Sequence, residues 1–274
     1  MANGKCPIIT LLTDFGLKDP YVASMRGVIL GINPKCTLVD ITHQVNSHDI
    51  KEGAFILGQT YSNFPKGTIH LSVVDPGVGS TRKPILIVTK NYFFVGPDNG
   101  LFTIALRTER VKQALVLTNQ KFFRSEISST FHGRDIFAPV AAYLSLGVKP
   151  ESFGPSIKSW HEISFPDPAM KQGKLMGEIV HVDAFGNLVT NIDCKSLLQF
   201  SKGWSLVTKI GKRTMRGLKK GYWEGRKDEP MVLIGSGGFL EISVREGNAQ
   251  KALRARRGDP IIVDCGVRSQ KIRK

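Results

Sequence analysis

The chain lacks the features that mark several classes of protein. None of its apolar runs approaches the roughly 18 consecutive residues of a membrane-spanning helix. Its start, Met1-Ala2-Asn3-Gly4-Lys5-Cys6-Pro7, has no apolar stretch of the kind a secretory signal carries. The expectation is a soluble, cytoplasmic protein with no membrane partner. Cysteine is scarce: Cys6, Cys36, Cys194 and Cys265 are widely scattered, with no C-x-x-C and no Cys/His pair at metal-ligand spacing. They read as reduced, packed thiols, and no metal is expected. There is no G-x-G-x-x-G after the first strand and no G-x-x-x-x-G-K-[ST] anywhere, so neither a dinucleotide site nor a P-loop triphosphate site is indicated.

What is abundant is positive charge. The net charge is +15, and residues 171–274 hold 21 Lys+Arg against 10 Asp+Glu, an excess of 11. A basic domain of this kind could neutralise nucleic-acid phosphates. The basic residues nevertheless form no aromatic-interleaved pattern and no nucleic-acid motif, so a solvated surface, or a basic tail over 268–274, is the preferred reading.

With 274 residues and 41% hydrophobic composition, the chain can bury one large core or two moderate ones, and two domains are expected. Ile8–Leu12 reads as a buried strand, Tyr21–Leu30 as a helix that stops near Asn33-Pro34, Thr37–Ile41 as a strand, and Asp49–Tyr61 as a helix. Further strands follow at 68–74, 85–89, 92–95 and 114–117, with a short helix at 101–107. This alternation implies a layered α/β domain over 1–155 with a mostly parallel sheet. Pro150, Pro155, Pro166 and Pro168 gather where periodicity fades, which marks 156–172 as a connection. Beyond it come short strands at 175–182, 188–192, 205–210, 231–234, 239–244 and 260–263, and one short helix at 249–253. They predict a small all-β, barrel-like domain over 173–274.

Three polar loops interrupt the first domain. Asp75 follows a strand, and Asp75-Pro76-Gly77-Val78-Gly79-Ser80-Thr81-Arg82 places a carboxylate and a guanidinium at opposite ends of one glycine-rich loop. This is either an ion pair that pins the loop or a polar site at a sheet edge. Ser128–Asp135 runs into the apolar Ile136–Leu144, so Ser/Thr N-caps and a helix are expected, with a neutral His132 at the positive helix end. Asp14 ends the first strand, where open α/β sheets bind ligands, and an Asx-turn residue would also suit that place.

In the second domain, Asp183-Ala184-Phe185-Gly186-Asn187 reads by itself as an ordinary turn. Ser236 lies in a glycine-rich loop. Tyr222 and Trp223 stand where aromatics either stack on planar ligands or plug a surface.

Taken together, Thr13-Asp14-Phe15-Gly16, Asp49-Ile50-Lys51-Glu52-Gly53-Ala54, Val74–Gly79, Gly96-Pro97-Asp98-Asn99-Gly100, Phe131-His132-Gly133-Arg134-Asp135 and Asp183–Asn191 strongly resemble the S-adenosylmethionine hydroxide adenosyltransferase family, the hydrolase branch related to the fluorinase and chlorinase. The six motifs occur in order over nearly the whole chain. The resemblance implies an N-terminal α/β domain, a C-terminal β-barrel, a homotrimer with active sites at subunit interfaces, and no cofactor beyond the substrate itself. It implies that water or hydroxide displaces methionine from C5′ of S-adenosylmethionine. It also makes Asp75, Arg82 and His132 the catalytic set, with the proton acceptor open between Asp75 and His132.

For substrate contacts the resemblance implies Asp14 on the ribose hydroxyls, Asp183 on the methionine ammonium and Asn187 on the adenine edge. It implies Ser236 on the methionine carboxylate and Tyr222 stacked on adenine. His48 stands where the halogenating relatives have an aromatic residue, and Gly237 follows Ser236 where some relatives have arginine. Two alternatives are a halogenase and a non-catalytic nucleic-acid-binding protein. Retention of the catalytic three, which halogenases replace with a halide pocket, favours hydrolysis.

Overall fold

The computed structural model describes residues 6–268. The chain divides into two compact units, the first ending at Ser164 and the second beginning at Phe165.

The first unit is built on a seven-stranded sheet of β1 (Ile8–Thr13), β2 (Thr37–Thr42), β3 (Ile69–Val73), β4 (Pro84–Thr89), β5 (Phe93–Pro97), β6 (Val111–Val116) and β7 (Ser156–Ile157), in the order β2-β1-β3-β5-β4-β6-β7. Pairings from β2 to β5 are parallel, and those from β5 through β4 and β6 to β7 are antiparallel. Both faces are covered, so the strands are apolar on both sides. Ile9, Leu11, Ile69, Leu71, Val73, Leu86 and Val95 pack into one core with Met25 and Ile29 of α1 (Tyr21–Ile32) and Val140 and Leu144 of α4 (Ala138–Ser145). Leu12, Ile85, Ile87 and Phe94 point the other way. They pack with Leu57 of α2 (Ile50–Thr60) and Ala105 and Leu106 of α3 (Thr103–Leu106).

The second unit is an antiparallel sheet of β8 (Ala169–Lys171), β9 (Lys174–Val182), β10 (Leu188–Asp193), β11 (Trp204–Ile210), β12 (Arg213–Arg216), β13 (Pro230–Ile234), β14 (Phe239–Val244) and β15 (Pro260–Arg268). Its path is β12-β11-β15-β9-β10-β14-β13, with β8 on β9. Lys219, just past β12, bridges to Leu233 of β13 and nearly closes the sheet into a barrel. Alternate residues such as Ile179, Leu188, Ile192, Leu240, Ile242, Ile261 and Val263 fill its core, with Leu197 of α5 (Cys194–Ser201) and Ala249 of α6 (Ala249–Leu253).

The layered α/β unit and the barrel-like unit are those expected from the patterning. Two differences have physical causes. The segment expected as a connection is divided between the units. Its first part pairs with β6 as β7 and donates the His161 amide to Asp98 Oδ1 (2.6 Å) and the Ile163 amide to Thr103 Oγ1 (3.0 Å), while β8 belongs to the second unit. Helix α5 is an addition. Asp193 caps it by accepting from the Ser196 amide at 2.7 Å and the Ser196 hydroxyl at 2.9 Å, a start signal that directly follows a strand. The four cysteines are free as expected, but Cys6 is exposed rather than packed. The basic tail lies outside the described residues beyond Arg268. No helix among the described residues is long and apolar enough to cross a membrane.

One buried polar group in the sheet has a consequence for stability. His70 of β3 is 0% exposed, and its Nδ1 lies 2.8 Å from Thr10 Oγ1 of β1. Its ring stacks on Phe94 (5.2 Å between centroids) amid Tyr61, Phe64 and Tyr92, and its Nε2 has no partner among the described residues. Burial pushes its pKa down from 6.5 to about 3. Between these values the unfolded chain binds the extra proton, so this site's stabilisation is complete above pH 6.5 and is lost as pH falls toward 3. His70→Phe removes the orphan Nε2 and strips Thr10 Oγ1 of its partner, changes of about 1 kcal/mol each and opposite in sign. The variant is expected to match the parent near pH 7 and to decline less on acidification, read as urea midpoints from pH 7 to 4. An unchanged pH slope would show that His70 does not set it.

Candidate active site

The site is assembled at the carboxyl ends of adjacent parallel strands. Thr13 of β1 is in register with Val73 of β3, so Asp14 and Asp75 leave the sheet side by side. The end of β3 is held by Asn99, whose Nδ2 donates to the Val74 carbonyl (2.8 Å) and whose Oδ1 accepts from the Leu101 amide (3.2 Å). This is what the Pro97-Asp98-Asn99-Gly100 turn, part of one of the six sequence motifs, contributes.

After Asp75 the loop folds back through successive turns. The Val78 amide donates to the Asp75 carbonyl (3.2 Å), the Ser80 amide and hydroxyl to the Gly77 carbonyl (3.1 and 2.6 Å), and the Arg82 amide to Ser80 Oγ (3.2 Å). The fold-back delivers the Arg82 guanidinium to the Asp75 carboxylate. Nε donates to Oδ1 and Oδ2 at 3.0 Å each, and Nη2 also donates to Oδ2. The ion-pair reading of the loop therefore holds, with side-chain exposures of only 9% for Arg82 and 4% for Asp75. Arg82 also lies over the Phe137 ring, 5.2 Å from its centroid.

The pair does not stand alone. Arg82 Nη2 lies 2.8 Å from His132 Nδ1. A guanidinium only donates, so Nδ1 accepts and the proton of the neutral imidazole sits on Nε2. Burial first, and then the Arg82 charge, lower the His132 pKa from its ordinary value, against the opposing pull of Asp75 and Asp135. The expected neutral imidazole is thus present, but its causes are burial and arginine rather than helix position alone. Arg82 Nη1 is buried with no partner among the described residues. A buried donor of this kind costs about 1–3 kcal/mol unless something accepts from it.

His132 is carried by a second loop that the structure ties tightly. The expected Ser/Thr caps are absent: His132 itself precedes a π-type turn over Gly133–Phe137, whose five-residue hydrogen bond runs from the Ala138 amide to the Gly133 carbonyl before α4 begins. Asp135, fully buried, replaces the caps. It accepts the Ser128 amide (2.9 Å), Arg134 Nε (2.7 Å) and Arg134 Nη2 (3.0 Å). Burial would raise its carboxyl, but Arg134, the Ser128 amide and the Arg124 charge outweigh burial and hold it below its usual value. The two loops meet at Gly79, where φ is +76° and an added Cβ would sit 2.3 Å from the Ser129 carbonyl oxygen. Only glycine permits both that backbone and that approach.

Asp14 is half-buried and accepts the His48 amide on Oδ2 (2.9 Å). His48 has φ +67°, a left-handed conformation in which non-glycine residues cluster at functional loops. Asp49 then caps α2 on the Glu52 amide (3.0 Å), and Glu52 reaches back to the Asn46 amide (2.7 Å).

In the second unit, Asp183 and Asn187 are joined to each other. Asp183 Oδ1 accepts the Phe185 and Asn187 amides (2.9 and 2.8 Å), and Oδ2 accepts Asn187 Nδ2 (2.8 Å). The turn reading is therefore correct locally, and the turn leaves Phe185 77% exposed. Tyr222 donates its hydroxyl to Glu241 Oε1 (2.8 Å), which also accepts from Ser243 (2.7 Å). Burial, then Glu241, and the nearby Asp183 charge push its pKa up to about 12. Nothing in its strand position distinguished Glu241 beforehand. Ser236 is exposed in the β13–β14 turn and makes no side-chain hydrogen bond among the described residues. No group of three or more His, Cys, Asp or Glu among the described residues is disposed to hold a metal ion.

Comparison with known proteins identifies the family. The family model for the SAM hydroxide adenosyltransferase N-terminal domain matches residues 9–154, and that for its C-terminal domain matches 177–262. A Thermus thermophilus protein named (R)-S-adenosyl-L-methionine hydrolase is 34% identical over 260 residues, 92% of this chain and 98% of its own. A Methanocaldococcus jannaschii protein of the same name is 36% identical over 90% of this chain and 91% of its own. A fluorinase of Actinoplanes is 27% identical over 88% and 92%. A crystal structure of a conserved protein from Thermotoga maritima superposes with a TM-score of 0.88 at 36% identity, covering 93% of this chain and 99% of that one. Two domain matches in order, with relatives of this identity along almost the full length, place the chain in the SAM hydroxide adenosyltransferase family.

Proposed function

We propose that the protein hydrolyses S-adenosyl-L-methionine to adenosine and L-methionine, and that Asp75, Arg82 and His132 hold the attacking water. The observation that carries this reading is the buried Arg82 guanidinium, which joins Asp75 and His132 and keeps one donor, Nη1, unpartnered among the described residues. Four relatives at 34–36% identity are named hydrolases, while the fluorinases lie at 24–27%.

The sulfonium is already an activated leaving group, so alignment of the nucleophile is the main requirement. The water oxygen bonds to C5′, the C5′–S bond breaks, and its electron pair returns to sulfur as the thioether of methionine. The attacking oxygen becomes strongly acidic as it bonds, so a weak base suffices. Asp75 is that base, since its oxygens keep lone pairs beyond those occupied by Arg82, whereas His132 Nδ1 is already taken. Arg82 Nη1 and the Nε2–H of His132 are the donors that orient the water. Asp14 takes the ribose hydroxyls, Asp183 the ammonium, Asn187 the adenine edge and Ser236 the carboxylate, with Tyr222 as a flat face for adenine.

The working unit is a cytoplasmic homotrimer. In support, Leu17 is 68% and Tyr21 46% exposed beside the Phe15–Tyr21–Phe131 cluster that adjoins His132, and the free cysteines suit a reducing compartment.

Incubation with S-adenosylmethionine in halide-free buffer is expected to release adenosine and methionine in equal amounts, with no halogenated nucleoside when chloride or fluoride is added. Asp75→Asn and Arg82→Lys should each lower kcat by about 100-fold or more with the fold retained by circular dichroism. A strict halide requirement would overturn the hydrolase reading.

The acid limb supplies a second test. Neutral His132 is the working form and its pKa lies below the ordinary value, so kcat/KM should fall only as pH drops below about 6.5. His132→Asn, whose amide oxygen can still accept from Arg82, should move that limb to lower pH, and an unmoved limb would assign it to another group. For the assembly, light scattering should give about three times the 30.2 kDa chain mass, and Leu17→Lys should reduce it. A parent monomer would remove the trimer.

A further inference from the structure

Behind Asp14 lies a chain of polar side chains that the reaction does not use. Arg26 of α1 pairs with Asp40 Oδ2 at β2. Asp40 Oδ1 lies 3.0 Å from His43 Nε2, within ion-pair distance although Nε2 makes no hydrogen bond among the described residues, and His43 Nδ1 lies 2.8 Å from Thr13 Oγ1. His43 is 4% exposed and Thr13 0%. On the far side, Thr13 Oγ1 accepts the Phe15 amide (3.3 Å) and the His43 carbonyl accepts the Gly16 amide (2.7 Å). The residue enclosed by these two anchors is Asp14.

The plainer reading is a buried Thr–His pair of the packing type, like Thr10–His70 on the same strand. The two differ in where they lead. Both rings have an Nε2 with no hydrogen-bond partner among the described residues, but that of His70 ends in a cage of aromatic rings, whereas that of His43 lies 3.0 Å from the Asp40 carboxylate while its Nδ1 meets Thr13 at the Asp14 turn. Direction follows from chemistry: the carboxylate draws the imidazole proton to Nε2, so Nδ1 accepts from the Thr13 hydroxyl, whose lone pairs then face the Phe15 amide. Each group is left with one role, and the turn has one shape.

We propose that Asp40, His43 and Thr13 are positioning residues that hold the Asp14 turn in the form that grips the ribose diol, so that they set affinity for the adenosyl portion rather than the rate of C5′–S cleavage. This rests on the reading of Asp14 given above. The test is steady-state hydrolysis of S-adenosylmethionine, scored as KM and kcat separately, in Thr13→Val, Thr13→Ser, Asp14→Asn and the Thr13→Val/Asp14→Asn double variant. Thr13→Val, nearly isosteric, should raise KM about tenfold and leave kcat within about twofold, the scale of one lost buried hydrogen bond. Thr13→Ser, which keeps the hydroxyl, should restore the parent KM. Asp14→Asn should raise KM at least as much, and the double variant should be no worse than Asp14→Asn alone, because the chain acts only through that carboxylate.

If Asp14→Asn raises KM and Thr13→Val does not, or if the two effects multiply in the double variant, the positioning role is wrong while the ribose reading stands. If Asp14→Asn leaves KM unchanged, the ribose reading falls and takes the proposal with it. Should Thr13→Val not fold, Asp40→Asn at the exposed end of the chain replaces it with the same expectations.

Discussion

The constraint on which the first unit's site depends is a charged pair taken out of water. Asp75 and Arg82 are almost wholly buried, and removing either partner from such a pair typically costs about 3–5 kcal/mol, because the other charge is left uncompensated. The surrounding loops are accordingly over-determined. Asn99 clamps the strand end before Asp75, turns at Gly77 and Ser80 return the chain, Gly79 lets the loop lie against Ser129, and Asp135 ties down the segment that carries His132. The pair fixes the guanidinium plane, and the guanidinium in turn fixes the imidazole tautomer.

The sheet treats its two buried histidines differently. Deep in the strands, His70 is kept neutral by an aromatic environment and touches nothing that reacts. At the strand ends, His43 meets Thr13 through Nδ1 and lies 3.0 Å from the Asp40 carboxylate through Nε2, next to a turn that bears Asp14. The difference follows from position in a parallel sheet: its middle offers only packing, and its carboxyl edge opens into loops where polar groups can be held without being lost to solvent.

In the barrel unit, the Asp183–Asn187 turn is held together by its own side chains. The turn is closed by its own carboxylate and amide, so its shape requires no ligand, and it still presents Phe185 to the outside. Tyr222 is similar: its hydroxyl is tied to Glu241, while 47% of the residue remains exposed. A ring tied down through its hydroxyl has already lost part of its freedom, which lowers the entropy lost in any further contact.

Element types and the two-unit organisation were legible because periodicity and β-branched runs are local signals, and the motifs at 13–16, 74–79, 131–135 and 183–187 were legible because their order along the chain is itself specific. Reading along the chain was enough to place carboxylates at the strand ends, Asp14 and Asp75, to find a glycine able to sit in a tight loop, and to supply a guanidinium and an imidazole. It took the folded chain to turn Arg82 back on Asp75, to secure the His132 loop with Asp135 rather than a Ser/Thr cap, to hold Tyr222 with Glu241, and to bring His43, beside Asp40, to Thr13. These contacts join residues that are distant in the chain or depend on one side-chain direction, and hydrophobic periodicity carries no record of which polar atoms will face each other once the strands pair.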